Sequence, residues 1–270
     1  SGNDAAVAIA EHISGSERQF GIDLTNYLIE KTGIQNTNFT NSSGLFDENH
    51  YTTAYDLAKI VQYAMKNNTF MKFFNAKELR WIGASWDTTI VSHHRMVNGE
   101  IDYEGVTGGK NGYVPQARYT LATTAKRENM NLIAITLSGN KNEIYNDTMK
   151  LFNYGFESFH EVIINAHTTY TLNDRVYSNT NPIHFYIHNE QSYTPQLKDG
   201  GKLLIVNNLG ETIKELQIQD VTPKPTMRNL EVSKSTIEPA FYNEESPQNN
   251  IIASLLIVFF ISMLFFSRIR

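Results

Sequence analysis

The sequence has no cysteine among its 270 residues, which excludes disulfide bonds, cysteine nucleophiles and thiolate metal sites. Positive charge is also scarce: 23 lysine and arginine residues stand against 28 acidic ones, and the net charge is −5. Because a phosphate backbone is bound mainly by clustered cations, nucleic acid is not expected as a partner. The hydrophobic fraction of 41% suffices for a buried core in one or two domains.

The first residues, SGNDAAVAIAEH, contain neither an initiator methionine nor a basic segment followed by an apolar one. No signal peptide is therefore visible. We expect the sequence to begin inside a longer gene product.

The C-terminal end carries a long apolar run. Ile251 to Ser267 is free of charged residues, and as a helix it would be roughly 25 Å long, within the range of a membrane span. Arg268 and Arg270 follow, and positive charge favours the cytoplasmic side. The sequence predicts a single-pass membrane protein whose residues 1–250 lie on the extracytoplasmic side, with a buried core helix as the alternative for the apolar run.

Hydrophobic spacing predicts helices packed on a mainly antiparallel sheet, an α+β fold, in the first 159 residues. Helical spacing covers Ala5–Ile13, Ile22–Lys31, Thr53–Asn67 and Glu143–Phe159, and strand patterns cover ELRWIG, WDTTIVS, Arg118–Lys126 and Asn131–Leu137. From about His160 short alternating runs predict a small all-β domain. The predicted divisions are 1–159 (α+β), 160–222 (all-β), 223–250 (a polar stalk with four prolines), 251–267 (membrane span) and 268–270 (cytoplasmic tail).

The stretch VTGGKNGYVP, Val106 to Pro115, holds a lysine between glycines. Such stretches occur in phosphate loops, in plain turns and in acyl-transfer sites. The phosphate-loop spacing G-x-x-x-x-G-K-[ST] is absent here, because Lys110 is followed by Asn111 and no helix opens. The strand context favours a site at which Lys110 and its polar neighbour face a substrate, with Gly112 allowing close backbone approach.

Three other motifs have simpler explanations. Lys31-Thr32-Gly33 spells K-T-G but lies at a helix end, where a cation and a glycine cap are expected. Ser1-Gly2-Asn3 has the composition of a helix cap, and Ser138-Gly139-Asn140-Lys141 repeats it after a strand. The adjacent histidines His93 and His94 would point to opposite faces of a strand, so neither a metal site nor a cofactor is expected.

Taken together, the ordered segments resemble one family. SGNDAAVAIAEHISGSERQF, GIQNTNFTNSSGLFDENHYTTAYDLAKIVQYAM and SHHRMVNGEIDYEGVTGGKNGYVPQARYTLATTAKRENMNLIAITLSGN are similar to D-alanyl-D-alanine carboxypeptidases, the low-molecular-weight penicillin-binding proteins. The resemblance places the family's S-x-N motif at Ser1, Gly2 and Asn3, and its K-T-G motif at Lys110, Asn111 and Gly112, with Asn111 in place of threonine. It implies the penicillin-binding fold and a serine peptidase.

The resemblance also implies roles. A serine of an S-x-x-K motif attacks the carbonyl between two D-alanines of a peptidoglycan stem peptide, and β-lactams acylate the same serine. Ser1 would relay a proton, Asn3 would position it, and Lys110 would supply charge near the substrate carboxylate. The N–H of Tyr113 would help to form the oxyanion hole. Arg95 would help to hold the carboxylate, with a surface ion pair as its alternative interpretation.

The S-x-x-K nucleophile segment of this resemblance should lie upstream of Ser1. We therefore expect the 270 residues alone neither to cleave D-Ala-D-Ala nor to be labelled by a fluorescent penicillin. Two functions remain open at this point. One is a membrane-anchored carboxypeptidase of which this is the C-terminal part; the other is a non-catalytic, membrane-anchored wall-binding or scaffolding protein derived from the family, which the asparagine at 111 would suit.

Overall fold

The computed structural model describes residues 2–84 and 86–223. Within them the chain divides into two compact units, residues 2–154 and residues 155–223. The helices are α1 (Asn3–Ser14), α2 (Glu17–Thr32), α3 (Ala54–Ala64), α4 (Asn68–Phe74), α5 (Arg95–Asn98) and α6 (Ile144–Ser158). The strands of the first unit are β1 (Glu78–Ile82), β2 (Asp87–Val91), β3 (Val106–Val114), β4 (Arg118–Arg127) and β5 (Met130–Gly139).

Capping side chains decide where three helices begin. Ser16 accepts a hydrogen bond from the N–H of Gln19, so α2 begins five residues before the predicted Ile22. Thr53 caps α3 in the same way. Asn67 accepts from two backbone N–H groups and starts α4, a helix that the sequence reading did not predict. Its seven residues are too few to show a helical period.

The core of the first unit lies between these helices and the antiparallel sheet β3-β4-β5. Leu28 of α2, Ile60 of α3 and Phe70 of α4 are almost completely buried in it, together with Ala122 of β4. Full burial of one large apolar side chain contributes about 1.5–3 kcal/mol. This packing holds the sheet in place, and the predicted α+β class with antiparallel strands is confirmed.

A separate two-stranded hairpin, β1 paired with β2, precedes the sheet in the chain. Every residue of β1 is exposed, and in β2 only Thr88 is partly buried. The hairpin therefore adds little to the core. Its apolar side chains remain available at the surface.

The second unit consists mainly of short antiparallel strands. They are β6 (Phe159–Ile164), β7 (Thr169–Leu172), β8 (Arg175–Ser178), β9 (Ile183–His188), β10 (Tyr193–Lys198), β11 (Lys202–Asn207), β12 (Thr212–Gln217) and β13 (Gln219–Asp220). Ile183, Phe185, Leu203 and Ile205 form the centre of its own apolar core. The alternating exposure along β9 and the buried run in β11 explain why both patterns were visible in the sequence.

Most predictions for the C-terminal part of the chain concern residues that the structure does not describe. The predicted membrane span and tail, and all of the predicted stalk except Pro223, lie outside the described residues. In the ranges that the structure describes, no helix has the length and apolar character to cross a bilayer.

Candidate active site

The candidate lysine lies on β3, at the edge of the first unit's sheet. The sheet order is β3-β4-β5, and of the described strands only β4 pairs with β3. Lys110 lies opposite Ala122, and Gly109 lies opposite Thr123. An edge strand keeps one row of backbone N–H and C=O groups outside the sheet ladder. β3 can therefore offer both side chains and backbone to an extended ligand.

Lys110 is buried, with 7% of its surface exposed. Its ammonium group donates a hydrogen bond to the carbonyl oxygen of Asn111. Burial lowers the pKa of Lys110 from 10.5 to about 7, because surroundings of low dielectric constant disfavour the charged form. A nearby anion would favour the charged form again, so this lysine is suited to respond to a carboxylate.

His94 packs directly beneath this part of β3. The residue is 1% exposed, and its Nε2 lies 2.9 Å from the hydroxyl of Thr123. The absence of a side chain at Gly109 makes this possible, because a Cβ there would lie 2.6 Å from Nε2. Burial, and to a smaller extent the neighbouring charge of Lys110, lower the pKa of His94 to about 3. His94 is therefore a neutral packing partner of the strand.

Tyr145 of α6 fixes the segment that carries His94. Its ring meets the His94 ring edge-on, with centroids 5.4 Å apart. Its hydroxyl accepts a hydrogen bond from the backbone N–H of Arg95 at 3.0 Å. The histidine is thus held from two sides, by Thr123 and by Tyr145, and it keeps the backbone around Gly109 in position.

A pocket of about 210 Å³ opens beside Lys110. Its polar residues come from β1, from the segment before α5 and from β3: Glu78, Ser92, His93, Lys110 and Asn111. Its large apolar residues come from α4 and from the hairpin: Phe73, Phe74, Leu79, Ile90 and Val91. The pocket therefore places Lys110 and other polar groups opposite a mainly apolar surface that also carries the acidic Glu78, a lining that suits a small ligand with both polar and apolar parts.

The protein-family comparison identifies the region that contains this pocket. The model of the D-alanyl-D-alanine carboxypeptidase family matches residues 1–141, which include β3 and more than half of the chain. The chain belongs to the D-alanyl-D-alanine carboxypeptidase family. The family predicted from the ordered segments is confirmed.

Curated relatives agree with this assignment. The chain is 34% identical over 179 residues to D-alanyl-D-alanine carboxypeptidase DacF of Bacillus subtilis, a match that covers 65% of this chain and 43% of that protein. It is 36% identical over 177 residues to DacA of Haemophilus influenzae, covering 59% of this chain and 39% of the relative. The chain thus spans about two fifths of the length of these two relatives.

Solved structures support the fold. Penicillin-binding protein 5 from Haemophilus influenzae matches with a TM-score of 0.65 at 24% identity, covering 81% of this chain and 70% of that one. D-alanyl-D-alanine carboxypeptidase from Mycobacterium tuberculosis matches with a TM-score of 0.52 at 28% identity, covering 58% and 60%. The penicillin-binding fold expected from the sequence is the fold observed.

The S-x-N residues of this family member are only partly described. Ser1 lies outside the described residues. Gly2 and Asn3 are exposed, and Asn3 is the first residue of α1. Asn3 does not appear among the described residues that line the pocket beside Lys110. The roles assigned to Ser1 and Asn3 stay predictions.

The remaining predicted site residues are found on or near β3. Asn111 lines the pocket, Gly112 is buried in the strand, and Tyr113 is exposed, with its ring centroid 4.4 Å from that of Tyr119. Arg95 lies outside the described lining. Its Nε pairs with Glu100 at 3.1 Å, which is the surface ion pair of the alternative interpretation, and its role at the carboxylate stays a prediction.

Sequence reasoning missed two contributors to the pocket. His93 was considered only as a metal ligand, but it lines the pocket together with Lys110. Among the residues that the structure describes, no group of three His, Asp or Glu side chains could hold a metal ion. The apolar hairpin was predicted as two strands, without any link to the site. No local pattern in either strand linked the hairpin to the site.

Proposed function

We propose that this chain is part of a serine-type D-Ala-D-Ala carboxypeptidase that removes the terminal D-alanine of peptidoglycan stem peptides through an acyl-enzyme. The observation that carries the proposal is the buried Lys110 on an edge strand, beside an open pocket, inside the region matched by the family model. Every curated relative reported above is named as such a carboxypeptidase, which does not favour a non-catalytic scaffolding role.

In this proposal Lys110 binds the carboxylate of the terminal D-alanine. The low pKa of about 7 rises when the anion arrives, since the pair of opposite charges favours the protonated lysine. Asn111 can donate an amide N–H to the same carboxylate. His93, which lines the same pocket, is a further group that can contact it. Arg95 would have to leave Glu100 before it could take part.

The chemical step follows the family's serine chemistry. The serine oxygen of an S-x-x-K motif forms a bond to the carbonyl carbon between the two D-alanines, and the C–N bond breaks. The serine proton passes by way of Ser1, positioned by Asn3, to the leaving amine of D-alanine. Water then hydrolyses the ester and restores the serine. The N–H of Tyr113 would donate to the oxyanion, where one donor is worth about a hundredfold or more in rate.

Several finer points belong to the same proposal. β-Lactams would acylate the same serine. Residues 160–222 would act as a small all-β domain, and residues 223–250 as a stalk. Residues 251–267 would anchor the protein in the membrane, because an uncharged run of this length spans a bilayer, with residues 1–250 on the extracytoplasmic side.

The test uses the complete product of the gene that encodes this sequence. D-Alanine release from diacetyl-L-Lys-D-Ala-D-Ala and covalent labelling by a fluorescent penicillin are measured. Replacing Lys110→Ala should lower kcat/KM by about 100-fold or more. The matched variant Lys31→Ala, at the other lysine-glycine motif, should stay within about twofold of the parent. A product without either activity, or a fully active Lys110→Ala variant, would refute the proposal.

A further inference from the structure

Large apolar side chains of the hairpin and of α4 are exposed where they face the pocket. Leu79 and Ile90 are 48% and 44% exposed. They are direct cross-strand partners, so both lie on one face of the hairpin. Phe73 of α4 is 44% exposed. All three line the pocket that also contains Lys110 and Asn111.

An exposed apolar surface rimmed by polar groups is typical of a ligand groove. The core does not explain the exposure, because Phe70 and Phe74 fill the buried side of α4 and the hairpin contributes almost no buried residue. Contact between Leu79 and Ile90 stabilises the hairpin modestly. That contact would be equally possible if the two side chains pointed away from the pocket, so it does not explain their position. The apolar side of the pocket is therefore available to a ligand.

The position of the lysine determines which part of a ligand meets this surface. A carboxylate held by Lys110 belongs to the C-terminal residue, and the side chain of that residue begins within about 3 Å of the carboxylate oxygens. A methyl group is about as large as a water molecule, roughly 30 Å³. The pocket volume of about 210 Å³ leaves space beyond the methyl group of D-alanine.

We propose that Phe73, Leu79 and Ile90 form an apolar subsite for the side chain of the C-terminal D-residue, and that the site binds a D-leucine-sized side chain more tightly than D-alanine. The proposal rests on the proposed function, because it takes Lys110 as the carboxylate contact. The ligand class is a peptide that ends in a D-amino acid with a branched apolar side chain and a free carboxylate. Each carbon that D-leucine has beyond D-alanine would leave water and contact these apolar side chains, which favours binding.

The test measures equilibrium binding to the 270-residue chain by calorimetry. The probes are N-acetyl-D-Ala-D-Leu, N-acetyl-D-Ala-D-Ala and the carboxamide of the leucine peptide. The leucine peptide should bind about five- to tenfold more tightly than the alanine peptide. Its carboxamide should lose most of its affinity, because Lys110 would have no anion to bind.

Variants of the hairpin test whether Leu79 and Ile90 cause the preference for the leucine peptide. Leu79→Thr and Ile90→Thr place β-branched threonine in exposed strand positions, where it is well tolerated, so the hairpin should remain folded. Together they should abolish the preference for leucine. Ile82→Thr is the matched control, since Ile82 is 77% exposed and lies on the same strand outside the described lining. Circular dichroism checks that all variants keep the parent fold.

Each result decides the question. A preference for leucine that the double variant loses and Ile82→Thr retains supports the subsite. Equal or weaker binding of the leucine peptide, a preference that survives the double variant, or no measurable binding of any probe overturns it. The proposed function fails separately, through loss of Lys110-dependent D-alanine release by the complete gene product.

Discussion

Lys31 and Lys110 both stand two residues before a glycine, yet the fold places them in opposite environments. Lys31 closes α2 at the surface, where it pairs with Glu30 at 2.8 Å and lies 5.9 Å from the centre of the Tyr27 ring. Lys110 lies in the middle of β3 and is buried. The first lysine is exposed to solvent and has a counter-ion beside it; the second is shielded from solvent.

The difference shows that the backbone around a short motif determines its chemistry. At Lys31 the glycine that follows adopts a φ of 66° and ends the helix, which is a structural use of glycine. Around Lys110 the glycines bring the strand close to its neighbours, as the contact of Gly109 with His94 demonstrates. A lysine held in this way keeps a fixed position and a shifted pKa, and both are properties of a binding site.

The largest expected effect is on the free energy of unfolding when each lysine is replaced, because only Lys110 has a buried charge. The folded-state pKa of Lys110 is about 7 against 10.5 for the unfolded chain. Between these values the unfolded chain binds more protons, so the free energy of unfolding rises with pH, and the full cost of burying the charge is present below pH 7. Replacing Lys110→Met should therefore raise the free energy of unfolding at pH 6 by about 1–4 kcal/mol.

Urea denaturation at pH 6 and at pH 9.5 measures this difference. The gain from Lys110→Met should shrink at the higher pH, where the parent lysine is already neutral in the folded state. Lys31→Met should change the free energy of unfolding by less than about 0.5 kcal/mol at both values. Equal effects of the two substitutions would show that Lys110 is as well solvated as Lys31.

The second effect compares two glycines. Gly109→Ala would bring a Cβ within 2.6 Å of His94 Nε2, and Thr123 and Tyr145 hold that ring in place. We expect a loss of about 1–3 kcal/mol in the free energy of unfolding, together with weaker binding of N-acetyl-D-Ala-D-Ala.

The matched variant is Gly33→Ala, at which the nearest atom would be Lys59 Nζ at 3.9 Å. Its cost should be about 1 kcal/mol, from the left-handed backbone alone, and peptide binding should not change. Thermal melts and calorimetry provide both measurements. Unaltered binding by the Gly109 variant would mean that His94 does not position the strand.

The smallest expected effect is on carboxypeptidase activity when the middle residues of the two motifs, Asn111 and Thr32, are exchanged. Asn111→Thr should leave the carboxypeptidase activity of the complete gene product equal or raise it, by no more than about tenfold, because a hydroxyl can also donate to a carboxylate. Thr32→Asn, at the helix end, should not alter it. Release of D-alanine measures both, and a clear loss in the first variant would show that the asparagine is adapted to its site.

Much of this fold could be read from local patterns. Helices α1, α3 and α6 and strand β9 follow periodic burial of apolar residues, which the sequence displays directly. Strands β4 and β11 contain runs of consecutive buried residues instead. Helix α4 escaped prediction because its seven residues begin at an asparagine cap and bury only Phe70 and Phe74. Caps act through hydrogen bonds that no hydrophobic period reveals.

The site was predictable to a smaller extent. Lys110 and Asn111 were identified because β3 carries them within a glycine-rich strand, and the structure finds both in the pocket lining. The inclusion of His93 and the apolar face of the hairpin could not be foreseen, because these residues reach the pocket from segments 17 to 32 residues away from Lys110. Such contacts depend on packing between elements, which local patterns do not encode.

The sequence by itself determined the family and most of the helices and strands, and it favoured Lys110 over Lys31 as the site lysine, since each inference follows from residues near one another in the chain. Only the tertiary structure decided that Lys110 is buried, that a neutral His94 supports its strand, and that a pocket lined by polar and large apolar residues lies beside it. The physical reason is that burial and pKa depend on which distant atoms exclude water from a group. Those atoms are brought together only by the fold.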